Sequence, residues 1–355
     1  MMLKARSPLN NGRGPQGSVK QVLIRRKALL IIYGPTQTGK TNLALQLARK
    51  FQGELISADS RQVYKGLDIG AGKVAFDDVV EKHVGYWTVN RIKINGFDLA
   101  NPGQQFSAVD FLKFAQSLIR RIIDKKKLPI VVGGTGFYIK SLLEGIGSIG
   151  IPADWELRTR LGKLPSNDLY KQLFSINPVR AKSLNQSDRV NPRRLIRAIE
   201  ITTHKKYQVS SIKYKENTKY QIPNTKYLFV GLTAPNEFLF KKSDFWLEER
   251  ISHGLIEEVK NLLSMGVDGN WLKNLGLEYR WITKYLTGEN SYEESLLRLK
   301  GDIHSFVRRQ KSWFKKFKGI RLFDISDKNY QASIEKTVSL WYTKENERRK
   351  VIASH

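Results

Sequence analysis

Residues 28–48 read ALLIIYGPTQTGKTNLALQLA and contain the pattern that decides the fold. Residues 28–33 form an apolar run typical of a buried strand, and residues 42–48 have the apolar spacing of a helix. Between them, residues 34–41 match the phosphate-loop pattern G-x-x-x-x-G-K-[ST]. At such a strand-to-helix turn, backbone N–H groups and the helix dipole face one anion. The sequence therefore predicts a site for a chain of phosphates, and it leaves open whether these belong to a hydrolysed nucleotide or to another pyrophosphorylated substrate.

Further apolar runs continue the alternation of strands and helices. Residues 54–58, 128–132 and 227–232 have the composition of buried strands, and residues 108–123 have helical spacing. This rhythm predicts an α/β fold, a P-loop NTPase-like parallel sheet covered by helices. A linker around residues 145–152 interrupts the rhythm. We therefore expect a core of residues 27–146 and 226–355, with C-terminal helices, and a mainly α-helical insertion domain over residues 147–225.

The chain is strongly basic. Its 355 residues include 61 Lys and Arg against 33 Asp and Glu, a net charge of +28. Residues 147–225 alone hold 15 basic residues against 6 acidic ones. Residues 1–26 hold no acidic residue and are expected to form a disordered basic arm. Such an excess favours a polyanionic partner, most simply a nucleic acid, and the insertion is a candidate for that contact.

Composition also excludes several kinds of site. The chain has no cysteine, so disulfides, thiolate nucleophiles, iron–sulfur clusters and cysteine-based zinc sites are excluded. No uninterrupted apolar stretch reaches membrane-spanning length, and the N-terminus lacks the apolar centre of a signal peptide. We expect a cytoplasmic, monomeric protein without a membrane partner.

Polar residues follow the second predicted strand, at residues 57–64 (SADSRQVY). Asp59 and Ser60 are expected at the carboxyl end of the sheet, which is the binding crevice of open α/β folds. Asp59 has the chemistry of a general base or of a Mg²⁺ ligand through water. An N-cap of the next helix is the structural alternative, and the position beside the phosphate loop favours the functional interpretation.

The third predicted strand ends in Gly133-Gly134-Thr135-Gly136. Nucleotide-hydrolysing proteins usually have an Asp that holds Mg²⁺ on such a strand, and this chain has no acid there. The turn instead offers close backbone approach and one hydroxyl, unless the glycines serve only the geometry of the turn. The missing acid argues against nucleotide hydrolysis.

Two basic helix faces are predicted outside the phosphate loop. One helix has Asn191 as N-cap and Pro192 as its first residue, and three arginines project from its first turns. The other has an apolar face and a basic face, either a phosphate contact or simply a solvated surface. The apolar positions are Leu296, Leu299, Ile303, Phe306, Trp313 and Phe317, and the basic ones are Arg308, Lys311, Lys315 and Lys318.

Five segments occur together in a distinctive order: GPTQTGKT (34–41), ISADSRQVY (56–64), PIVVGGTGFYIKSLLEG (129–145), NPRRLIRAIE (191–200) and VRRQKSWFKKF (307–317). In this order they resemble the tRNA dimethylallyltransferase family, over residues 28–317. The resemblance implies transfer of a dimethylallyl group from dimethylallyl diphosphate to the exocyclic amine of the adenosine next to the anticodon. The phosphate loop would then hold a prenyl diphosphate, and no ATP hydrolysis is expected.

The resemblance also assigns roles to individual residues. It implies that Lys40, Asp59 and Thr135 are catalytic, with Asp59 as the general base and the Thr135 hydroxyl on the target nucleotide. The diphosphate leaving group, with Mg²⁺ at Thr41, would lie in a cradle formed by Gly34, Thr36, Gln37, Thr38, Gly39, Lys40 and Thr41. Contacts with the tRNA anticodon stem-loop are implied for Asp59, Ser60, Arg61, Gln62, Thr135, Arg158, Arg193, Arg194 and Arg197.

The chain departs from the family pattern in two places. The usual IGTAKP is here IGAGKV at residues 69–74, which keeps Lys73 but loses a hydroxyl and a proline. The helix after the strand at residues 227–232 usually begins with an arginine that assists the diphosphate, and this chain has Asn236 there. Lys241 or Lys242 could take the place of that arginine, but a lysine ammonium is a point charge and lacks the bidentate geometry of a guanidinium. Residues 83–105 fit poorly and receive no assignment.

Three other functions share parts of this pattern. An enzyme that prenylates free adenine nucleotides would need no large basic surface. An ATP-dependent kinase acting on a nucleotide or RNA end would bind ATP tightly and turn it over. A catalytically silent RNA-binding protein is supported only by Asn236. The basic insertion and the basic C-terminal helix favour the tRNA prenyltransferase.

Overall fold

The structure is a computed structural model of the chain, and it describes residues 27–146, 148, 151–204 and 225–353. The predicted basic arm, and residues 205–224 of the predicted insertion, lie outside the described residues. Within the described ranges, no helix combines the length and the apolar composition that crossing a membrane requires.

Eight strands form one sheet in the described part of the chain, in the order β3-β4-β5-β2-β6-β1-β7-β8. The five pairings from β5 to β8 are parallel, and β3, β4 and β5 pair antiparallel at one edge. The predicted parallel sheet is therefore confirmed, with an antiparallel edge added. The strands are β1 (Lys27–Tyr33), β2 (Gly53–Ser57), β3 (Val80–His83), β4 (Tyr86–Val89), β5 (Ile92–Asn95), β6 (Leu128–Gly133), β7 (Thr225–Thr233) and β8 (Ile320–Asp324).

The antiparallel edge includes part of residues 83–105, which received no assignment in the sequence analysis. A two-residue turn, Asn90-Arg91, joins β4 to β5, and both residues have positive φ angles of 48° and 67°. Such a turn matches the twist of a hairpin and usually has glycine at its second position. Here arginine occupies that position, so the usual hairpin signal is missing from the sequence.

Helices cover both faces of the sheet. Helices α1 and α14 pack on one face and α2 and α3 on the other, whereas α9–α13 share a separate apolar core and α4, α5, α6 and α8 form a further one. The helices are α1 (Lys40–Lys50), α2 (Ala108–Asp124), α3 (Gly136–Glu144), α4 (Trp155–Leu161), α5 (Ser166–Ile176), α6 (Pro178–Ser183), α7 (Gln186–Arg189), α8 (Pro192–Thr203), α9 (Asn236–Ser252), α10 (Leu255–Ser264), α11 (Gly269–Leu275), α12 (Leu277–Leu286), α13 (Tyr292–Ser312) and α14 (Tyr330–Ala353).

Helix α13 differs in one respect from the sequence expectation. Leu299 and Ile303 are buried as predicted, but the helix ends at Ser312. A short 3₁₀ turn follows and directs Phe317 inward, where its ring makes an edge contact with Tyr33 at 5.2 Å between centroids. The expected single helical face up to Phe317 was therefore wrong, because aromatic packing against β1 bends the chain out of the helix.

Candidate active site

The phosphate loop lies between β1 and α1 and is held by its own side chains. The Thr38 hydroxyl donates to the Pro35 carbonyl oxygen at 2.9 Å, and the Lys40 Nζ donates to the same oxygen at 3.2 Å. Gln37 and Gly39 have positive φ angles of 64° and 72°, which turn the backbone around the loop. Since α1 begins at Lys40, its first N–H groups lack intrahelical partners and are available to an anion.

The ends of β2 and β6 are fastened to each other beside this loop. The Thr135 N–H donates to the Ala58 carbonyl oxygen at 3.2 Å, and the Ser60 N–H donates to the Thr135 hydroxyl at 3.0 Å. A side chain at Gly133 would overlap the Ala58 backbone, so glycine is required for this close approach. The structure thus brings Ser60 and Thr135 together, as the adjacent strand ends predict.

Asp59 lies between these two features. One of its carboxylate oxygens accepts the N–H of Arg61 at 3.0 Å, which fixes the side chain. Among the residues that the structure describes, its other oxygen has no hydrogen-bond partner, and neither has the Thr41 hydroxyl. Asp59, Thr41 and Lys40 line the same cavity. A carboxylate that can accept a proton and the lysine of the phosphate loop therefore line one cavity.

Arg61 and Gln62 also line this cavity, but both are bound to neighbouring protein groups. The Arg61 guanidinium donates to the Glu278 carboxylate at 2.8 Å. The Gln62 amide donates to the Gly72 carbonyl oxygen at 2.9 Å and accepts from the Ser57 hydroxyl at 2.6 Å. Their side chains shape the wall of the cavity.

The surroundings of Lys40 lower the pKa of its ammonium group. Burial lowers the pKa of Lys40 to about 8, Arg250 and Arg61 also lower it, and Asp59 acts in the opposite direction. Near neutral pH the lysine is therefore protonated but close to its titration range. An anion bound beside it would favour the charged form and raise its pKa.

Gln310 on α13 fastens the phosphate loop to the turn after β6. Its side-chain oxygen accepts the Thr36 N–H at 2.8 Å, and its side-chain nitrogen donates to the Gly134 carbonyl oxygen at 2.9 Å. Its backbone carbonyl accepts the Tyr33 hydroxyl at 2.7 Å. Sequence reasoning missed this residue, although it lies inside the segment VRRQKSWFKKF, because the helical pattern there marks only basic and apolar positions.

Two cavities meet at the phosphate loop. The inner one, of about 60 Å³, extends from the loop to Asp59, and the outer one, of about 210 Å³, extends along α9. Five residues line both cavities, namely Thr36, Lys40, Thr41, Gly72 and Arg250. The outer cavity is also lined by aromatic and aliphatic side chains, which are Ile69, Val74, Phe76 and Trp246.

Comparison with known proteins agrees with this geometry. A family model described as IPP transferase matches residues 62–317. The chain belongs to this family. A protein named tRNA dimethylallyltransferase from Alkaliphilus oremlandii is 37% identical over 308 residues, 85% of this chain and 93% of that protein. One of the same name from Acetivibrio thermocellus is 34% identical over 296 residues, 82% of this chain and 90% of that protein.

Solved structures include a similar fold. The crystal structure of the full-length tRNA isopentenylpyrophosphate transferase from Bacillus halodurans matches with a TM-score of 0.63 and 27% identity. The match covers 93% of this chain and 100% of that one. The P-loop NTPase-like fold of this IPP transferase family member is thus shown by both its own sheet and its neighbour.

The residues around the loop fit a magnesium ion that is shared with a phosphate. Mg²⁺ in such sites takes one or two protein oxygens and completes its shell with water and substrate phosphates. The Thr41 hydroxyl and the Asp59 carboxylate line one cavity and offer such oxygens. Within the described ranges, no cluster of three or more His, Asp or Glu side chains could hold a metal by itself. Magnesium at Thr41 stays a prediction.

Arg158 and Arg197, for which contacts with tRNA are predicted, both bind the carboxylate of Glu200. Arg158 forms two hydrogen bonds to the Glu200 carboxylate, both at 2.8 Å, and Arg197 forms an ion pair with it and donates to the Ile151 carbonyl oxygen at 2.9 Å. Burial would raise the pKa of Glu200, but the hydrogen bonds from the two arginines hold it below its usual value. Both arginines therefore stabilise the insertion.

The other two arginines of α8 are more exposed. The predicted helix start is confirmed, because the Asn191 side chain caps α8 and Pro192 is its first residue. Arg193 donates to the Asn274 side chain at 3.3 Å, which links the insertion to α11, and Arg194 pairs with Asp188. None of these four arginines lines either cavity, and their contact with tRNA stays a prediction.

The departures from the family pattern have structural consequences. Lys73 is fully buried, and its Nζ donates to Asp68 at 2.7 Å and to Asp98 at 2.5 Å, so it fastens the sheet edge. The Asn236 side chain accepts from the Lys311 Nζ at 2.8 Å. Of the two proposed substitutes, Lys242 lines the outer cavity.

Proposed function

We propose that this protein transfers a dimethylallyl group from dimethylallyl diphosphate to the N6 amine of the adenosine 3′ to the anticodon in tRNA, and releases diphosphate. Family membership and relatives named tRNA dimethylallyltransferase support the proposal. The observation that carries it is the cavity in which Lys40 and Thr41 stand beside Asp59. A phosphate site and a proton acceptor in one cavity are what a prenyl transfer to an amine needs.

In the proposed reaction, the bond from the prenyl carbon to the diphosphate oxygen breaks and a bond from that carbon to the adenosine nitrogen forms. Lys40 and the loop N–H groups stabilise the negative charge that grows on the diphosphate. The proton of the nitrogen passes to the free carboxylate oxygen of Asp59. Mg²⁺, when bound with Thr41 and the diphosphate, supplies further positive charge.

The acceptor base must leave its stack to reach this cavity. Extrusion of an anticodon-loop base costs less than extrusion from a duplex, because the loop is single-stranded. Ser60 is exposed and Thr135 is partly exposed, and both lie close to Asp59 in the chain or through hydrogen bonds, so they suit contact with the entering nucleotide. The net charge of +28 and the exposed Arg308, Lys315 and Lys318 suit the tRNA backbone. The proposed enzyme works as a cytoplasmic monomer on the anticodon stem-loop.

One assay tests this function directly. The protein is incubated with undermodified tRNA, dimethylallyl diphosphate and Mg²⁺. The tRNA is then digested to nucleosides, and their masses are measured by mass spectrometry. We expect one adenosine of the anticodon loop to gain a dimethylallyl group, and free AMP to gain none. Binding of tRNA without any prenylated adenosine would refute the proposal, and efficient prenylation of AMP would favour the adenine-nucleotide enzyme.

A further inference from the structure

Arg250 brings a guanidinium group to the boundary between the two cavities. It lies near the end of α9, and its side chain lines both the inner and the outer cavity together with Lys40 and Thr41. Its Nη1 donates to the Glu278 carboxylate at 2.8 Å and lies 3.4 Å from the Gly70 carbonyl oxygen. Only 14% of the side chain is exposed, so this is an interior cation fixed in place.

The neighbouring backbone leaves room for this guanidinium. Gly72 has a positive φ of 58°, and a side chain there would overlap the Arg250 Nη2 atom. Any other residue at this position would displace the guanidinium or strain the backbone. The loop that contains Gly72 is thus shaped around Arg250, and Gly72 lines both cavities as well.

The charges around Arg250 leave the cavity positive. Glu278 is buried and divides its two oxygens between Arg61 and Arg250. Lys40 and Asp59 line the inner cavity together with Arg61 and Arg250, so with Glu278 three cations face two carboxylates there. The Arg250 Nη2 has no hydrogen bond within the described residues, so its N–H groups can donate to an anion. A diphosphate on the loop, with several negative charges, meets this excess.

We propose that Arg250 is a diphosphate-binding residue, which contacts the leaving group from the side opposite the phosphate loop. This inference rests on the proposed function, because it takes dimethylallyl diphosphate as the donor. Arg250 would hold the phosphate oxygens through charge-assisted hydrogen bonds, while Glu278 keeps the guanidinium oriented. Arg61, bound to the other oxygen of Glu278, would hold that carboxylate in place.

Inorganic pyrophosphate, the released product, is the probe for the test. Isothermal titration calorimetry measures its binding to the full chain with Mg²⁺. We expect Arg250→Met to weaken binding by about 10- to 100-fold, the usual range for loss of a charge-assisted hydrogen bond. Arg250→Lys should recover only part of this, because an ammonium is a point charge without the planar fork. The matched control is Arg280→Gln, which breaks an ion pair with Asp302 outside both cavities.

A second pair of variants separates phosphate contact from a structural role, and it also covers the case in which Arg250→Met alone does not fold. Glu278→Gln removes the buried charge, and Arg250→Met combined with Glu278→Gln removes both partners of the ion pair. If Arg250 only neutralises Glu278, these two proteins bind pyrophosphate equally. Our proposal expects the double variant to bind about 10- to 100-fold more weakly than Glu278→Gln.

Equal affinity of those two proteins, or a wild type that does not bind pyrophosphate, would overturn the proposal for Arg250. The tRNA assay is scored separately. Arg250-dependent binding of pyrophosphate without transfer to tRNA would contradict the proposed function and leave the binding role of Arg250 intact. If Arg250→Met still transfers the dimethylallyl group to tRNA with an unchanged KM for the donor, the binding role of Arg250 is contradicted and the proposed function is kept.

Discussion

Replacing Gln310 with leucine removes the link between the phosphate loop and the turn after β6. The change keeps the size of the side chain but leaves the Thr36 N–H and the Gly134 carbonyl without their partners. Each buried backbone group that loses its partner costs about 1–3 kcal/mol, and water reaches Thr36 in part, so we expect a loss of about 2–4 kcal/mol in the free energy of unfolding. Urea denaturation measures the total loss, and amide hydrogen exchange of residues 34–41 locates it.

The chain offers a matched control for this prediction. Gln116 on α2 is also buried, but its side-chain nitrogen has no hydrogen-bond partner among the described residues. Gln116→Leu should therefore leave stability nearly unchanged or raise it, because an unsatisfied polar group is removed. If Gln310→Leu is as stable as wild type, and exchange in residues 34–41 is equally slow, the link is not what holds the loop. Equal losses in both variants would show that burial alone, without the hydrogen bonds, decides the effect.

Three further outcomes are expected. Pyrophosphate affinity should fall as pH rises through about 8, where Lys40 loses its proton, and calorimetry with Lys40→Arg, which stays charged, should show a flatter profile. Asp59→Asn should slow transfer to tRNA by about 10²- to 10⁴-fold with nearly normal tRNA binding, since the amide still accepts from the neighbouring backbone; a normal rate would remove Asp59 as the base. Arg158→Ala should lower the free energy of unfolding by about 1–3 kcal/mol, because Glu200 loses two charge-assisted hydrogen bonds but keeps Arg197, and Glu200→Gln should recover part of it; unchanged urea midpoints would contradict this.

Local patterns made the phosphate loop predictable from the sequence. Its strand, its glycines and its helix are contiguous, and each has a signal of its own. The strand ends that hold Asp59 and Thr135 followed from the rule that parallel strands meet at one edge. The antiparallel edge was not predictable, because its strands are four residues long and the Asn90-Arg91 turn lacks glycine.

Residues that complete the site come from distant parts of the chain. Arg250, Glu278 and Gln310 carry no motif that ties them to the loop, and only folding brings them there. In the insertion, the charge count indicated an excess of basic residues, but it could not show that Glu200 binds both Arg158 and Arg197. A sequence pattern predicts the local structure of its own segment, but it does not predict contacts with residues that are distant in the sequence.

The link between Gln310 and Tyr33 has a consequence for biosynthesis. The two residues are 277 positions apart in the sequence. Strand β7, which pairs with β1, and strand β8, which pairs with β7, also come from later parts of the chain. A ribosome adds 277 residues between Tyr33 and Gln310, so the clamp on the phosphate loop leaves the exit tunnel long after the loop itself. While those residues are being made, the nascent chain has a phosphate loop that is not yet locked, and a chain that stops before Gln310 would lack the clamp.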